Sequence, residues 1–556
     1  MIGQFETHEV FNQVPPLEAY DVFSSDRPLS EAVDREGAAW ARAELEDLGM
    51  LASLSETQRL GRLANTYEPV LHTHDRYGHR IDEVEYHPAY HQLMETAVAH
   101  GLHTGPWADP RAGAHVARAA KVMVWYQVDA GHVCPVSMTY AVVPAIRHQP
   151  EIAATWEPMV FSTAYDPANR PAPEKTGATC GMALTEKQGG SDVRANTTRA
   201  EPVGDAAERS YVLTGHKWFC SAPMSDGFLM LAQAPGGIRC FLTPRWRPDG
   251  TRKAIRIQRL KDKLGDRSNA SSEIELQGAW AQLIGEEGYG MRTIIEMVNH
   301  TRLDCALGSA AIMRQGLSQA IWHATHRAVF GTRLVDQPLM TNVLADLALE
   351  SEAATASVLR LARSYDAPQS DEQESLLRRL LTPTIKYWTC KRAPQHAAEA
   401  LECLGGNGYV EESMMPRLLR QSPLNGVWEG SGNVICLDVL RALTKEPKVL
   451  EAYWAEVTHA WTGNSRLDRA IDDLQVDLSE PETLVSRARS VVEQLALVLQ
   501  ASLLVRFAPD TVADAFCSSR LSGVGPGVFG KLPSGVDTAF ILERHAPESS
   551  SSSLAK

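Results

Sequence analysis

The chain has 556 residues, 44% of them hydrophobic, with a formal net charge of −14. That length supports a large core divided among about three or four domains. The negative charge argues for a soluble protein and against a generic electrostatic affinity for phosphate backbones.

The opening MIGQFETHEV has no basic region followed by an apolar run, so no signal peptide is expected. No apolar run is expected to be long enough to span a bilayer. Residues 1–181 read as a helical domain. Within it PLSEAVDREGAAWARAELEDLG has apolar positions at helical spacing, starts after Pro28 and stops at Gly49. GAHVARAAKVMVWYQVDAG repeats the pattern, with Gly131 as its stop. Residues 182–287 change character: SYVLTGHKWFCS, GFLMLAQA, GIRCFLTPR, AIRIQRL and SSEIELQ are short, rich in β-branched or aromatic residues and separated by Gly and Pro. They read as strands of an antiparallel sheet or barrel. From 288 to 445 the helical period returns, beginning with the long, nearly breaker-free MRTIIEMVNHTRLDCALGSAAIMRQGLSQAIWHATHRAVFG. A further helical segment, 446–545, holds PETLVSRARSVVEQLALVLQASLLVRF, apolar around much of its circumference and so expected to be buried. The last residues, 546–556, are low-complexity and expected to be disordered.

Several stretches carry the residue types of a site, and each also has an ordinary structural reading. In LTEKQGGSDV, Gly189 and Gly190 let the backbone approach a ligand while Thr185 and Ser191 offer hydroxyls; a polar turn needs the same residues. In LTGHKWFCSAP, Trp218 and Phe219 can flank a flat cofactor with Ser221 bonding its edge, or form an aromatic pair in a barrel core. Arg327 offers forked donors to phosphate, or lies beside the negative end of a helix. The glycines of LECLGGNGYVEES serve equally as a helix C-cap. VWEGSGNV sets one carboxylate, Glu429, in a glycine-rich loop, where a solvated acid is the common case. Two patterns are set aside. GPGVFG (525–530) fits GxGxxG but contains Pro526 and leaves too little chain for a βαβ unit. His72, His74, His79, His87 and His91 cluster in a polar region read as a solvated loop, without partners for a zinc site. Nine scattered Cys without a CxxC pair imply neither disulfides nor a metal site, and fit a reducing cytoplasm.

Taken together and in order, the motifs GRLAN, MALTEKQGGSDV, NTTRAE, GHKWF, RLKDKLGDRSNASSEIE, TRLDCALGSA, LGGNGY and VWEGSGNVICLDVLR resemble the acyl-CoA dehydrogenase flavoproteins, and within them the branch that serves the adaptive response to DNA alkylation. The resemblance runs from Thr7 to Leu443. It implies a mainly α protein: a helical N-domain, a middle antiparallel β-barrel and a four-helix C-domain, with 446–545 as an extra helical domain. It implies noncovalent FAD and a homotetramer. By resemblance, Met182, Leu184, Thr185 and Ser191 line the flavin, Trp218 flanks it, and Phe219, Cys220 and Ser221 cover its edge near N5. Val427, Trp428, Gly430, Ser431, Gly432 and Asn433 close the site around Glu429. Arg327, Gln337, Gly405 and Gly406 match positions from which a neighbouring subunit holds the pyrophosphate and adenine. Glu429 matches the base that removes the α-proton of an acyl-CoA thioester, a short or branched one here. Some members instead carry the base before the arginine that is Arg302 here; that position is Thr301.

The same branch binds double-stranded DNA, mainly through its extra C-terminal domain. Here residues 441–556 hold 12 Lys and Arg against 15 Asp and Glu, so weak, non-specific binding is expected. Arg441 is the candidate contact, with Arg487 and Arg489 behind it; solvated helix charges are the other reading. Two functions of different class follow: an FAD-dependent acyl-CoA dehydrogenase, or a flavin-containing DNA-binding protein that protects or repairs alkylated DNA, its dehydrogenase site weak or vestigial.

Overall fold

The structure, a computed structural model, describes residues 7–204, 209–252, 254–286, 290–368, 370–480, 482–522 and 527–547. The pattern at 525–530 begins outside them, as does most of the tail expected to be disordered. The chain forms two compact units: residues 1–55, 306–427 and 431–556 make one, and residues 56–305 with 428–430 make the other.

In the second unit, helices Pro88–Ala99, Ala114–Tyr126, Val133–Ile146 and Pro150–Val160 precede the sheet. Val133–Ile146 is apolar and almost wholly buried. The histidine-rich segment is not a loop. It is a two-stranded antiparallel hairpin, β1 (Val70–His74) with β2 (Arg80–Glu85). Its alternation was hidden because the inward set on β2 includes an acid: Asp82 and Val84 are buried while Glu85 is exposed. His87 caps the next helix by accepting from the Ala89 N–H (3.1 Å), and His91 bonds the Tyr165 hydroxyl (3.0 Å). Among the described residues no three His, Cys, Asp or Glu side chains are grouped to hold a metal ion.

The seven-stranded sheet comprises β3 (Cys180–Ala183), β4 (Arg199–Pro202), β5 (Ser210–Ser221), β6 (Gly227–Ala234), β7 (Gly237–Pro244), β8 (Ile255–Leu260) and β9 (Ser271–Leu283). Its path is β3-β6-β4-β5-β9-β7, with β8 on β9 and a further β6–β7 pairing. Five strands, β5 to β9, lie where the β-branched and aromatic runs between Gly and Pro are read. The sheet departs from purely antiparallel pairing: β3 runs parallel to β6, and β4 also meets β6 in parallel, Arg199 opposite Gln233. Close approach fixes its glycines. A Cβ on Gly227 would meet the Trp156 ring at 2.6 Å, and one on Gly181 the Phe228 ring at 2.8 Å. The core between this sheet and the helices joins Met138, Val142, Trp156, Leu229, Leu242, Ile294 and Met297.

In the first unit the segment expected as one helix from Pro28 to Gly49 is broken. Helix Arg27–Arg35, capped by Asp26, ends before Gly37 at φ 89°, and a second helix, Arg42–Ser53, follows a 3-10 turn. Gly49 lies inside that helix because a Cβ there would strike the Phe23 backbone N at 2.8 Å; it is a packing glycine, not a stop. Gly131, in the second unit, is the same: helix Ala114–Tyr126 ends earlier, and a Cβ on Gly131 would meet Asn269 N at 3.1 Å.

The long helices Pro338–Asp366, Glu372–Glu402 and Leu484–Phe507 form the core of the first unit. Leu484–Phe507 does reach the length and mean hydropathy (1.4) of a membrane span, contrary to the expectation that no run would; 67% of that window is packed inside the protein. Buried ion pairs tie the late helices to Pro338–Asp366. Arg520 meets Asp346 (2.5 Å) and Glu350 (3.2 Å), Arg392 also meets Glu350 (3.0 Å), and Arg544 and His545 both meet Glu352 (2.8 and 2.9 Å).

Candidate active site

Glu429 lies between the 3-10 turn Leu424–Gly426 and helix Gly432–Lys445. Gly432 and Asn433, expected in the loop, are that helix's first turn. Within the second unit, Glu429 is half-buried and adopts φ 57°, the left-handed region, beside Gly430 at φ 106°. For a non-glycine residue this costs roughly 1–2 kcal/mol, and such strain gathers at functional sites. A buried arginine holds it there: Arg302 Nε donates to the Glu429 carbonyl at 3.0 Å. Trp428 packs against the core that includes Met138, Ile294 and Met297.

The neighbouring acid, Asp304, is spent elsewhere. It forms a buried bidentate pair with Arg118 (Nη2 to Oδ2 2.6 Å), and that guanidinium lies 3.6 Å over the Tyr140 ring. The Thr301 hydroxyl bonds back to the Val298 carbonyl at 3.0 Å.

Cys134 lies at the start of helix Val133–Ile146. Burial pushes its thiol up to about 12; Lys263 and a hydrogen bond from Ser221 act against this, and the charges of Asp266 and Glu429 add to it. Ser221 ends β5 with its Oγ 3.5 Å from Ser271 Oγ, to which Lys263 Nζ donates at 3.2 Å. Lys263 also donates to the Asp266 and Asn269 carbonyls (2.8 and 2.5 Å). Burial lowers the Lys263 pKa and raises that of Asp266 to about 7. Cys134, Lys263 and Ser271 were not picked out from sequence; for Lys263 and Ser271 the signal was present in KLGDRSNASS, a run too polar and specific for an ordinary strand connection, and for Cys134 there was none.

The motif around Thr185 is organised by Glu186. Its carboxylate, wholly buried, accepts from the backbone and hydroxyls of Thr197 and Thr198 and from Lys217 Nζ (2.9 Å). Burial alone would raise its pKa; those hydrogen bonds and the Lys217 charge outweigh this and hold it well below the usual carboxylate range. Gly190 lies against Thr185, where a Cβ would meet Oγ1 at 2.6 Å. Ser191 is exposed, whereas Met182, Leu184 and Thr185 are half-buried. Met182 and Leu184 pack on the same core as Trp428.

Trp218 and Phe219 are not a core pair. Phe219 is 51% exposed, and Lys261 Nζ lies 3.5 Å from the Trp218 ring centroid and 4.7 Å from that of Phe219. Cys220 points inward, fully buried, with its thiol pushed up to about 12 by burial, so only its backbone faces the edge assigned to it.

The remaining candidates belong to the first unit. Arg327 donates to the Asn12 carbonyl, and Gln337 Nε2 to the Val329 carbonyl at 3.0 Å, both bracing the hairpin Ala328–Val329/Thr332–Arg333. Gly405 (φ 59°) and Gly406 are exposed, as are Val427 and Ser431. Asn433 Oδ1 accepts from Arg489 Nε (2.9 Å), and Arg487 pairs with Asp477 and Glu480 (3.3 and 3.5 Å). Neither arginine is a freely solvated charge. Arg441 is 60% exposed in its side chain, with Asp438 at 3.5 Å.

The N-terminal domain model of the adaptive response protein AidB matches residues 12–167, the acyl-CoA dehydrogenase middle domain matches 181–279, and its C-terminal domain matches 288–444. The acyl-CoA dehydrogenase AidB of Escherichia coli (strain K12) is 46% identical over 523 residues, 94% of this chain and 96% of that one. The chain belongs to the acyl-CoA dehydrogenase family. It is an AidB-like oxidoreductase of that family. Acyl-CoA dehydrogenase family member 11 of Caenorhabditis elegans is 29% identical over 87% of this chain and 83% of its own. The crystal structure of C. elegans ACDH-11 in complex with C11-CoA superposes with TM-score 0.85 at 26% identity, covering 93% and 94% of the two chains. The apo-form of Bd2924 gives 0.82 at 27% identity, covering 89% and 100%. The acyl-CoA dehydrogenase fold, with its central sheet and additional C-terminal helices, is thus common to all three.

Proposed function

We propose that the protein is an FAD flavoprotein that dehydrogenates a short or branched acyl-CoA thioester between its α and β carbons, with Glu429 as the base. The observation that carries this is the strained Glu429 backbone held by Arg302. The residues present suit a flavin: half-buried Met182 and Leu184 and exposed Phe219 offer apolar and aromatic surface, and Thr185, Ser191 and Ser221 offer hydroxyls for the edge of a ring. When bound, FAD accepts the β-hydride. Glu429 takes the α-proton, and needs to be partly desolvated and held in place to do so. By the family resemblance, its own N–H is the group that polarises the thioester carbonyl. Arg302 acts by positioning, since it grips the Glu429 carbonyl. The short or branched chain comes from the sequence resemblance, whereas the worm relative was solved with C11-CoA.

Anaerobic stopped-flow bleaching of the bound flavin with acyl-CoAs from butyryl and isovaleryl to undecanoyl tests this. Glu429→Gln should retain FAD and lose about 10²–10⁴-fold in the rate of bleaching. Bleaching at the wild-type rate removes Glu429 as the base, and no bleaching of the wild type by any member of the panel removes the activity.

A second reading, binding of double-stranded DNA, is supported by the adaptive-response N-terminal match. The local electrostatics oppose strong binding, because Arg441, Arg487 and Arg489 each have a protein partner. Affinity should be weak, independent of sequence and steeply reduced by salt, as a fluorescence titration at several salt concentrations would record.

A further inference from the structure

One charge beside the candidate site has no role in the chemistry described so far. Lys263 is half-buried in the turn that joins β8 to β9. Its three donors go to the Asp266 carbonyl (2.8 Å), the Asn269 carbonyl (2.5 Å) and the Ser271 hydroxyl (3.2 Å), none of them to a carboxylate. An ammonium drawn partly out of water without an ion-pair partner is costly, and burial lowers its pKa accordingly.

The turn does not need that charge to close. The Ser268 hydroxyl is shared between the two oxygens of buried Asp129 (3.0 and 2.9 Å), which also accept from Asn65 Nδ2 (2.6 Å) and from the His132 backbone N–H (2.9 Å). The Lys261 N–H donates to the Ser271 carbonyl at 2.7 Å, the Ala222 N–H to the Ala270 carbonyl at 2.8 Å, and the Ser272 hydroxyl to the Cys220 carbonyl at 2.9 Å. These neutral bonds and the Asp129 clamp fasten the turn both to itself and to the end of β5.

What the ammonium reaches is Ser221. The Ser271 hydroxyl accepts from Lys263, which leaves its own proton for Ser221 Oγ, 3.5 Å away. Lys263 Nζ therefore stands within two hydrogen-bond lengths of the hydroxyl assigned to the flavin edge. The next residue, Ala222, is held at φ 47°, a left-handed conformation that a non-glycine residue keeps only where its surroundings dictate it.

We propose that Lys263 is a positioning residue for the flavin: through Ser271 it orients the Ser221 hydroxyl, and it brings a positive charge to the edge that Ser221 covers, raising the reduction potential of the bound cofactor. The inference rests on the assignment of FAD to this chain and of Ser221 to that edge, and not on Glu429 as the base. Reduction by two electrons adds negative charge to a flavin, and a cation sheltered from water and without a carboxylate partner favours the reduced form.

The potential is read on the FAD-loaded full chain by slow reduction with xanthine and xanthine oxidase against a reference dye, with no acyl-CoA present. Lys263→Met should make the reduced flavin at least about tenfold less favoured, a fall of about 30 mV for a two-electron couple. Ser271→Ala leaves both carbonyl contacts of the ammonium in place and should shift the potential the same way, by about two- to tenfold for one lost hydrogen bond. A lysine that only closed the turn would change FAD content or thermal stability and leave the potential where it is. Either variant at the wild-type potential overturns the inference; where Lys263→Met fails to hold FAD, Ser271→Ala decides. A wild-type protein that takes up no FAD would instead remove the flavin reading itself, a result distinct from a potential that does not move.

Discussion

At Glu429 the backbone works against the side chain. At φ 57° only glycine is unstrained, yet the position holds a carboxylate among glycines. Replacement by glycine should therefore raise stability by about 1 kcal/mol while abolishing flavin bleaching, a separation seen where strain serves function. Thermal unfolding of the FAD-loaded variants checks this; a Glu429→Gly protein less stable than wild type would mean that the carboxylate itself holds the fold. Asp266 gives a second prediction at this scale. Burial raises its pKa from 3.8 to about 7, so the folded state holds a proton that the unfolded state releases. The stabilisation is complete below the unfolded value and is lost as pH rises through about 7. Asp266→Asn should flatten the stability profile over that window, measured by denaturant unfolding at several pH values. An unchanged slope would show that the carboxyl is ionised in the fold.

At the scale of elements, what the sequence made legible was local. β5 to β9 could be read because their β-branched and aromatic runs are local and are bounded by Gly and Pro. The β1–β2 hairpin could not, since Asp82 occupies an inward position usually apolar, and β3 could not, since its pairing with β6 is set some forty residues away. The candidate site divides the same way. Glu429, Ser221 and Thr185 belong to recognisable motifs, whereas Cys134, Lys263 and Asp304 acquire their surroundings only when distant segments meet. The docking of the late helices was equally invisible: nothing in the sequence near Arg520 announces that its partners are Asp346 and Glu350. Glu350 is the pivot. Burial opposes its charge, but Arg392 and Arg520 prevail and hold its pKa at about 2. Its stabilisation is present above the ordinary carboxylate value of 4.5 and is lost as pH falls through about 2. Glu350→Gln leaves two buried guanidiniums short of a carboxylate and should cost about 3–5 kcal/mol at neutral pH. Chemical denaturation monitored by tryptophan fluorescence measures this; a loss below about 1 kcal/mol, the level of an exposed pair, would deny the network its role.

At the scale of the whole molecule, the open question is why the first unit presents so much apolar surface beside the residues assigned to the dinucleotide. Phe330 is 97% exposed, Leu339 85% and Tyr409 79%. Phe330 lies between Arg327 and Gln337, Leu339 just after them, and Tyr409 follows Gly405 and Gly406. Exposed apolar side chains mark an association site where they form one contiguous patch. If another copy covers them, cofactor retention and assembly are one equilibrium, because the groups reaching a neighbour's FAD arrive only with the interface. The expectation is that Phe330→Glu, at the tip of its turn and therefore harmless to the isolated fold, dissociates the oligomer and releases FAD together. Arg327→Ala should release FAD with less effect on assembly, since it deletes a charge-assisted phosphate contact of roughly 1.5–3 kcal/mol while leaving the apolar surface intact. Sedimentation velocity followed at both protein and flavin absorbance distinguishes the two. A Phe330→Glu protein that stays assembled and yellow would separate this surface from the subunit interface, and Arg327→Ala with undiminished FAD would return that arginine to bracing its own hairpin through Asn12.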